Sequence, residues 1–144
     1  MRPLRAAPGR APGGAGMNIV LVEDSVAMQR VFLHYLERIP NASINGIAAT
    51  EDTGIELIRR MLPDVVLLDL SLAQGSGLNL LARCRSEGHR CQVMVLTNLA
   101  MDSYRTRCLE LGAAGFYDKA SEVDLLMARL TAWDAGPVAV HQTS

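Results

Sequence analysis

The chain has 144 residues and a mass of 15.6 kDa, which suffices for one ordinary domain but not for two domains with separate cores. Apolar residues make up 49% of it and charged residues 20%, a composition typical of a globular protein and not of a disordered one. No apolar run exceeds four residues, which excludes a transmembrane helix, and the net charge of −1 excludes a global basic field that would attract nucleic acid.

The two ends of the chain differ in composition from its middle. Residues 1–16 contain only Met, Arg, Pro, Leu, Ala and Gly, which predicts a flexible leader without the apolar stretch of a secretory signal. Whether the native protein instead starts at Met17, which directly precedes the first strand-like run, stays open. A Gly-Pro pair predicts a short flexible tail over 135–144, so the folded domain is predicted to span 17–134.

Strand-like and helix-like segments alternate through this domain. Short apolar or β-branched runs predict strands at residues 19–22, 43–49, 65–68, 93–96 and 115–117. Amphipathic or capped segments predict helices that begin near Ser25, Thr50, Gly77, Asp102 and a capping-box pattern at Ser121–Asp124. The alternation predicts an α/β fold: a doubly wound five-stranded parallel sheet, flavodoxin-like with strand order 2-1-3-4-5, and five helices.

Polar side chains follow four of the predicted strands. Glu23 and Asp24 come after the first strand, Asp69 after the third, Thr97 after the fourth and Lys119 after the fifth. A parallel sheet brings these strand ends to one edge. Three carboxylates drawn together repel one another unless a cation lies among them, and an oxygen-only ligand set favours Mg²⁺ or Mn²⁺.

Lys119 is the one lysine in a chain with thirteen arginines, which suggests a site that needs a compact ammonium. Together with the Thr97 hydroxyl, this ammonium could hold the oxygens of a phosphoryl group. Asp69, at the end of a buried strand beside both charges, is then a candidate nucleophile for an aspartyl phosphate.

The chain resembles a response-regulator receiver domain of two-component signalling, of the stand-alone single-domain type. The resemblance rests on four stretches that frame residues 17–134: LVEDS at 21–25, VVLLDLSLAQGSGLNLL at 65–81, VLTN at 95–98 and GAAGFYDKAS at 112–121. It implies that Asp69 accepts a phosphoryl group from the phosphohistidine of a sensor histidine kinase or phosphotransfer protein. It also implies that Glu23, Asp24 and Asp69 hold Mg²⁺ together with the backbone carbonyl of Ser71.

The resemblance further implies a conformational switch. Lys119 would pair with the phosphoryl group and Thr97 would donate a hydrogen bond to it. Phe116, three residues before the lysine, matches the family's aromatic switch residue, whereas strand alternation puts Tyr117 on the opposite side.

Four positions depart from the family pattern. Ala73 and Ala120 stand where proline is common, and Phe116 lacks a hydroxyl, so its switch would work by packing alone. Asn98 is larger than the usual residue there and is expected to narrow access to Asp69, which would alter phosphorylation and dephosphorylation rates.

Neither the cysteines nor the histidines are spaced as a separate metal or disulfide site would require. Cys84, Cys91 and Cys108 are odd in number and in no Cys-x-x-Cys pair, so they indicate neither a disulfide framework nor a zinc site. They are interpreted as buried inert thiols in a reducing compartment, which predicts a cytoplasmic protein.

The sequence therefore predicts a phosphoreceiver that catalyses only its own phosphorylation and dephosphorylation. The ten residues after 134 are too few for a helix-turn-helix domain, so the expected output is a downstream protein effector bound near the last two helices, without nucleic acid or membrane. Homodimerisation through the same surface stays open.

Two alternatives remain. A phosphate-independent, receiver-like adaptor or dimerisation module would explain Asn98 and the missing prolines. A flavodoxin-type redox protein would need a Ser/Thr/Gly-rich phosphate cradle after the first strand, where this chain has Glu23-Asp24-Ser25.

Overall fold

The computed structural model describes residues 16–134, so the predicted tail and all of the predicted leader except Gly16 lie outside the described residues. Ten elements alternate along the chain: β1 Met17–Val22, α1 Val26–Leu36, β2 Ala42–Ala48, α2 Glu51–Met61, β3 Val65–Leu68, α3 Gly77–Ser86, β4 Gln92–Thr97, α4 Asp102–Glu110, β5 Gly115–Asp118 and α5 Val123–Asp134.

The five strands form one parallel sheet in the order β2-β1-β3-β4-β5, which confirms the predicted doubly wound topology. β1 and β3 are buried along their whole length, as expected for strands covered on both faces. β2 is an edge strand and carries a bulge: Ile19 pairs with Ile44 but Val20 pairs with Gly46, so Asn45 has no partner in β1.

The core has two layers because alternate residues of each strand point to opposite faces of the sheet. One layer packs strand side chains against α2, α3 and α4, with Val20, Val66 and Val95 at its centre. The other layer packs strand side chains against α1 and α5, with Ile19, Leu21, Leu67, Met94 and Leu96 facing Phe32, Leu36, Leu126 and Leu130. Each fully buried aliphatic side chain contributes about 1.5–3 kcal/mol, so the two layers hold the helices to the sheet.

Most helix boundaries follow the predicted signals. The hydroxyls of Ser25 and Thr50 accept hydrogen bonds from backbone N–H groups in the first turns of α1 and α2. Gly88 and Gly112 adopt φ angles of 78° and 93° just after α3 and α4, the left-handed conformation in which glycine is unstrained. Among residues 16–134, no helix is long and apolar enough to cross a membrane.

The start of α5 lies within the predicted capping-box stretch Ser121–Asp124. The helix begins at Val123, and the carboxylate of Glu122 accepts a hydrogen bond of 2.8 Å from the backbone N–H of Asp118. Glu122 therefore ties the end of β5 to the start of α5, a contact across the turn that the local capping pattern does not anticipate.

The carboxyl ends of the strands come together at one edge of the sheet. Val22 of β1 pairs with Leu68 of β3, Leu68 pairs with Val95 of β4, and Thr97 pairs with Asp118 of β5. The residues that directly follow these strand ends are therefore neighbours in space.

Candidate functional site

A cavity of about 310 Å³ opens at this edge. Six of the seven predicted site residues line it: Glu23, Asp24, Asp69, Ser71, Thr97 and Lys119. The seventh, Phe116, is buried in the adjoining core layer and is absent from the lining. Side chains that the sequence analysis did not assign to the site also line the cavity, among them Met28 and Leu99.

Asp69 lies at the centre of the site and is only 6% exposed. Its backbone N–H donates to the carbonyl of Val22 over 3.0 Å, which continues the β1–β3 ladder by one residue beyond Leu68. Its Oδ2 accepts a hydrogen bond of 2.8 Å from the Lys119 ammonium, and its Oδ1 accepts one of 3.3 Å from the backbone N–H of Ser71. Both carboxylate oxygens are therefore held in place.

Glu23 is almost fully buried and is fixed from several sides. Its backbone N–H donates to Ala48, its carbonyl accepts from the Gln29 side chain at 2.7 Å, and its Oε2 accepts from the backbone N–H of Ser25 at 3.0 Å. Its Oε1 forms an ion pair with Nζ of Lys119, which lies 2.7 Å away. Gln29 was not singled out in the sequence, because an exposed-looking helix residue gives no sign of a contact with the preceding loop.

Lys119 joins the two buried carboxylates. Its ammonium lies 2.7 Å from Glu23 and 2.8 Å from Asp69, and its side chain is only 6% exposed. Burial opposes the charge of the ammonium, but the hydrogen bonds to Asp69 and Glu23 outweigh burial and raise the pKa of Lys119 above its usual value. The side chain is therefore a fixed positive charge at neutral pH.

The carboxylates fit a divalent cation. One oxygen from each of Glu23, Asp24 and Asp69 lies within 4.8 Å of the other two, and Asp24 is exposed at the mouth of the cavity. Three negative charges face one ammonium, so the cluster has excess negative charge that a divalent cation would neutralise. The donors are all oxygen, which suits Mg²⁺ or Mn²⁺ and not zinc. The chemistry of the donor set supports the predicted metal preference.

The loop after Asp69 is fastened at both of its ends. The backbone N–H of Gly77, the first residue of α3, donates to the Leu70 carbonyl at 2.9 Å, and the N–H of Ser76 donates to Glu51 at 3.1 Å. A Cβ on Gly77 would collide with the carbonyl oxygen of Asp69 and would come within 2.6 Å of Leu70 Cα. This close approach of two backbones requires glycine, and it fixes the position of the acceptor candidate.

Thr97 and Phe116 lie on neighbouring strands next to the cavity. Thr97 is fully buried, and its hydroxyl oxygen accepts a hydrogen bond of 3.1 Å from the backbone N–H of Leu99. Phe116 packs in the layer formed with α2–α4 and Tyr117 in the opposite layer, which confirms the predicted alternation.

Arg105 covers Phe116. Its guanidinium carbon lies 4.9 Å from the ring centroid, and its Nη1 donates to the Phe116 carbonyl at 3.5 Å. The two residues lie on different elements, α4 and β5, so no local sequence signal pairs them.

Comparison with known proteins agrees with the geometry. The family model described as the response regulator receiver domain matches residues 19–131, more than half of the chain. The chain is 33% identical over 103 residues to a protein-glutamate methylesterase/protein-glutamine glutaminase from Treponema pallidum, a match covering 70% of this chain and 26% of that protein. It is 29% identical over 125 residues to the nitrate/nitrite response regulator protein NarP of Escherichia coli, covering 87% and 58% of the two chains.

The chain thus spans from about a quarter to about three fifths of these two curated relatives. Among solved structures, the BeF3-activated N-terminal receiver domain of Klebsiella pneumoniae RstA superposes with a TM-score of 0.73 at 28% identity. That match covers 83% of this chain and 99% of the RstA domain. This chain therefore aligns with that receiver domain over nearly its entire length.

Proposed function

Because the chain belongs to the response-regulator receiver family of two-component signalling, we propose that it is a phosphoreceiver whose acceptor is Asp69. The observation that carries the proposal is the contact of 2.8 Å between Asp69 and Lys119, inside a cavity that also holds Glu23 and Asp24. A carboxylate beside a fixed ammonium and a cation site is suited to attack phosphorus and to tolerate the charge that develops.

The proposed reaction transfers a phosphoryl group from a phosphohistidine of a sensor kinase or phosphotransfer protein. An oxygen of the Asp69 carboxylate attacks phosphorus, an O–P bond forms, and the N–P bond breaks with its electron pair returning to the histidine ring. Lys119 neutralises one phosphoryl oxygen, and the Thr97 hydroxyl donates a hydrogen bond to another. Water later hydrolyses the acyl phosphate and restores the carboxylate.

Glu23, Asp24, Asp69 and the carbonyl of Ser71 are the proposed ligands of Mg²⁺. The ion supplies charge neutralisation for the transferred group. Glu23 and Asp24 then act by holding the ion, and the hydrogen bonds from Ser25 and Gln29 position Glu23.

The output of this receiver is proposed to be a change in protein binding. Drawing the Thr97 hydroxyl toward a phosphoryl group would change the packing around the Phe116 ring, which is already buried on the neighbouring strand β5, and would alter the surface around α4, β5 and α5. A downstream protein effector binding there is the proposed reader. The three free thiols support a cytoplasmic location, and no substrate other than the phosphodonor is proposed.

The test is phosphorylation of the full chain by a small phosphodonor. With Mg²⁺ and acetyl phosphate, intact mass spectrometry is expected to show one phosphoryl adduct, absent when Mg²⁺ is chelated. Asp69→Asn is expected to abolish the adduct. Asp118→Asn, a nearby acidic residue outside the cavity lining, serves as the matched control and is expected to keep it.

An adduct that survives Asp69→Asn, or none in the parent chain, would contradict the proposal. Partner binding unchanged by Asp69→Asn in a protein that takes no phosphate would instead favour the phosphate-independent adaptor.

A further inference from the structure

A second chemical cluster lies at the opposite, amino-terminal edge of the sheet, where α3 returns to β4. Cys84 is in the last turns of α3 and Cys91 directly precedes β4. The turn between them is tight: Gly88 has a φ of 78°, and the backbone N–H of His89 donates to the Cys84 carbonyl at 3.1 Å. Cys91 packs against the core cluster that contains Cys84, and each of the two thiols affects the ionisation of the other.

The two thiols differ in their access to solvent. Cys84 is 3% exposed and lies inside the core, whereas Cys91 is only partly buried and lines a cavity of about 240 Å³. His89, Arg90 and Trp133 line the same cavity. A small polar molecule entering this cavity therefore reaches Cys91 and not Cys84.

The thiols also differ in acidity. Interaction with the Cys84 thiol lowers the pKa of Cys91 below its ordinary value, and the same interaction together with burial raises the pKa of Cys84. A thiolate is the reactive form of cysteine, so the thiol with the lowered pKa is also the one that the cavity exposes. Cys108, in α4, is a buried member of the same core cluster as Cys84, and burial raises its pKa.

We propose that Cys84 and Cys91 form a redox-active dithiol, which a hydroperoxide entering the adjoining cavity oxidises to an intramolecular disulfide. The inference is independent of phosphorylation at Asp69. It departs from the sequence-based interpretation of both residues as inert thiols, because the α3–β4 turn brings together two cysteines that are seven positions apart.

The proposed reaction has two steps. The Cys91 thiolate attacks the terminal peroxide oxygen, an S–O bond forms, the O–O bond breaks, and the alkoxide or hydroxide that leaves takes a proton from water. Cys84 sulfur then attacks Cys91 sulfur, so that the S–S bond forms and the S–O bond breaks. The Cys84 proton passes to the departing hydroxide as water. Two thiols are oxidised to one disulfide, and the hydroperoxide is reduced to an alcohol, or to water, and a second water.

The test treats the full chain with hydrogen peroxide, alkylates it with N-ethylmaleimide in denaturant, and maps its tryptic peptides. One maleimide adduct is expected where the reduced chain carries three, with a disulfide joining the peptide 84–85 to the peptide 91–105. The linked product should migrate as a monomer on a non-reducing gel and revert with dithiothreitol. Trp133, the chain's one tryptophan, is expected to change its fluorescence during oxidation because it lines the same cavity.

Two variants sharpen the result. Cys108→Ala is the matched control and should leave the 84–91 link intact. Cys84→Ser should stop the reaction at a sulfenic acid on Cys91, which dimedone traps. Three maleimide adducts after peroxide, a link that involves Cys108, or a link between two chains would each overturn the proposal. The peptide map of the parent chain alone suffices if Cys84→Ser fails to fold.

Discussion

Lys119 holds two buried carboxylates that would otherwise repel each other, at 2.7 Å and 2.8 Å from its ammonium. A guanidinium is planar and bulkier than an ammonium, so arginine, the chain's usual basic residue, does not fill this position equivalently. The single lysine among the chain's basic residues therefore has a geometric explanation, because this position needs a compact ammonium.

Lys119→Gln is expected to abolish phosphorylation and to lower the free energy of unfolding in the absence of metal by about 1–3 kcal/mol, because two buried charges lose their partner. Mg²⁺ should restore more stability in the variant than in the parent, since the cation then offsets more uncompensated charge. Urea denaturation with and without Mg²⁺ measures both effects. Equal responses to Mg²⁺ in the two proteins would refute this account of the site.

Arg105 bears on the mobility of the Phe116 ring. The cation–π contact at 4.9 Å stabilises the buried position of the ring, so Arg105→Gln is expected to cost about 0.5–1 kcal/mol and to speed exchange of the ring between positions. Relaxation-dispersion NMR on labelled phenylalanine measures the exchange. Arg107→Gln is the control, since Arg107 pairs with Glu110 at the surface. The same change in ring exchange in both variants would rule out a specific role for Arg105.

At the scale of elements, α3 is joined to the acceptor loop by a backbone contact. Gly77→Ala is expected to lower the free energy of unfolding by about 1–3 kcal/mol, because the atoms that its Cβ meets belong to the backbone of Asp69 and Leu70 and move only together with β3. It should also slow phosphorylation in proportion to the displacement of Asp69. Thermal unfolding and adduct kinetics provide the measurements. Asn79→Ala, an exposed change in the same helix, should alter neither.

The last turn of α2 and the α3–β4 connection are linked by charge. Hydrogen bonds from Arg59, at 3.0 Å and 2.6 Å, and from His89 lower the pKa of Glu87 from 4.5 to about 2. A lowered pKa in the folded state means that this link stabilises the fold above pH 4.5, and that its contribution is lost as the pH falls from 4.5 through about 2.

Arg59→Gln is therefore expected to raise the pKa of Glu87 back toward 4.5. NMR titration of the Glu87 side-chain carboxyl measures this pKa. Arg60→Gln, at the neighbouring exposed position, should leave it low. A Glu87 pKa that stays near 2 without Arg59 would show that His89 alone suffices.

At the scale of the whole molecule, the sheet topology and the location of the site are predictable from the sequence. The apolar runs at β1, β3 and β4 are unmistakable because both faces of these strands are buried. Once the strands are known to be parallel, the convergence of Asp24, Asp69 and Lys119 follows from topology alone. The chemical roles of these residues remain predictions until the phosphorylation test is done.

Contacts that depend on how helices settle on the sheet are not predictable in this way. Three such contacts join two elements, or an element and a loop: Arg105 with Phe116, Gln29 with Glu23, and Cys84 with Cys91. They depend on rotamers and packing distances that hydrophobic periodicity does not encode. The hydrogen bond from the backbone N–H of Asp118 to the Glu122 carboxylate likewise joins β5 to the start of α5 across the turn, and no local pattern encodes it.

The bulge in β2 has a consequence for how copies of this molecule behave when crowded. Among residues 16–134, β2 pairs with β1 on one side only, so its other side leaves backbone donors and acceptors unpaired by the sheet, a template on which another chain's strand could add. The extra residue at Asn45 breaks the regular spacing of these groups between Ile44 and Gly46. A straight strand that is in register with one half of the edge is therefore out of register with the other half. The irregularity therefore protects the molecule against edge-to-edge aggregation.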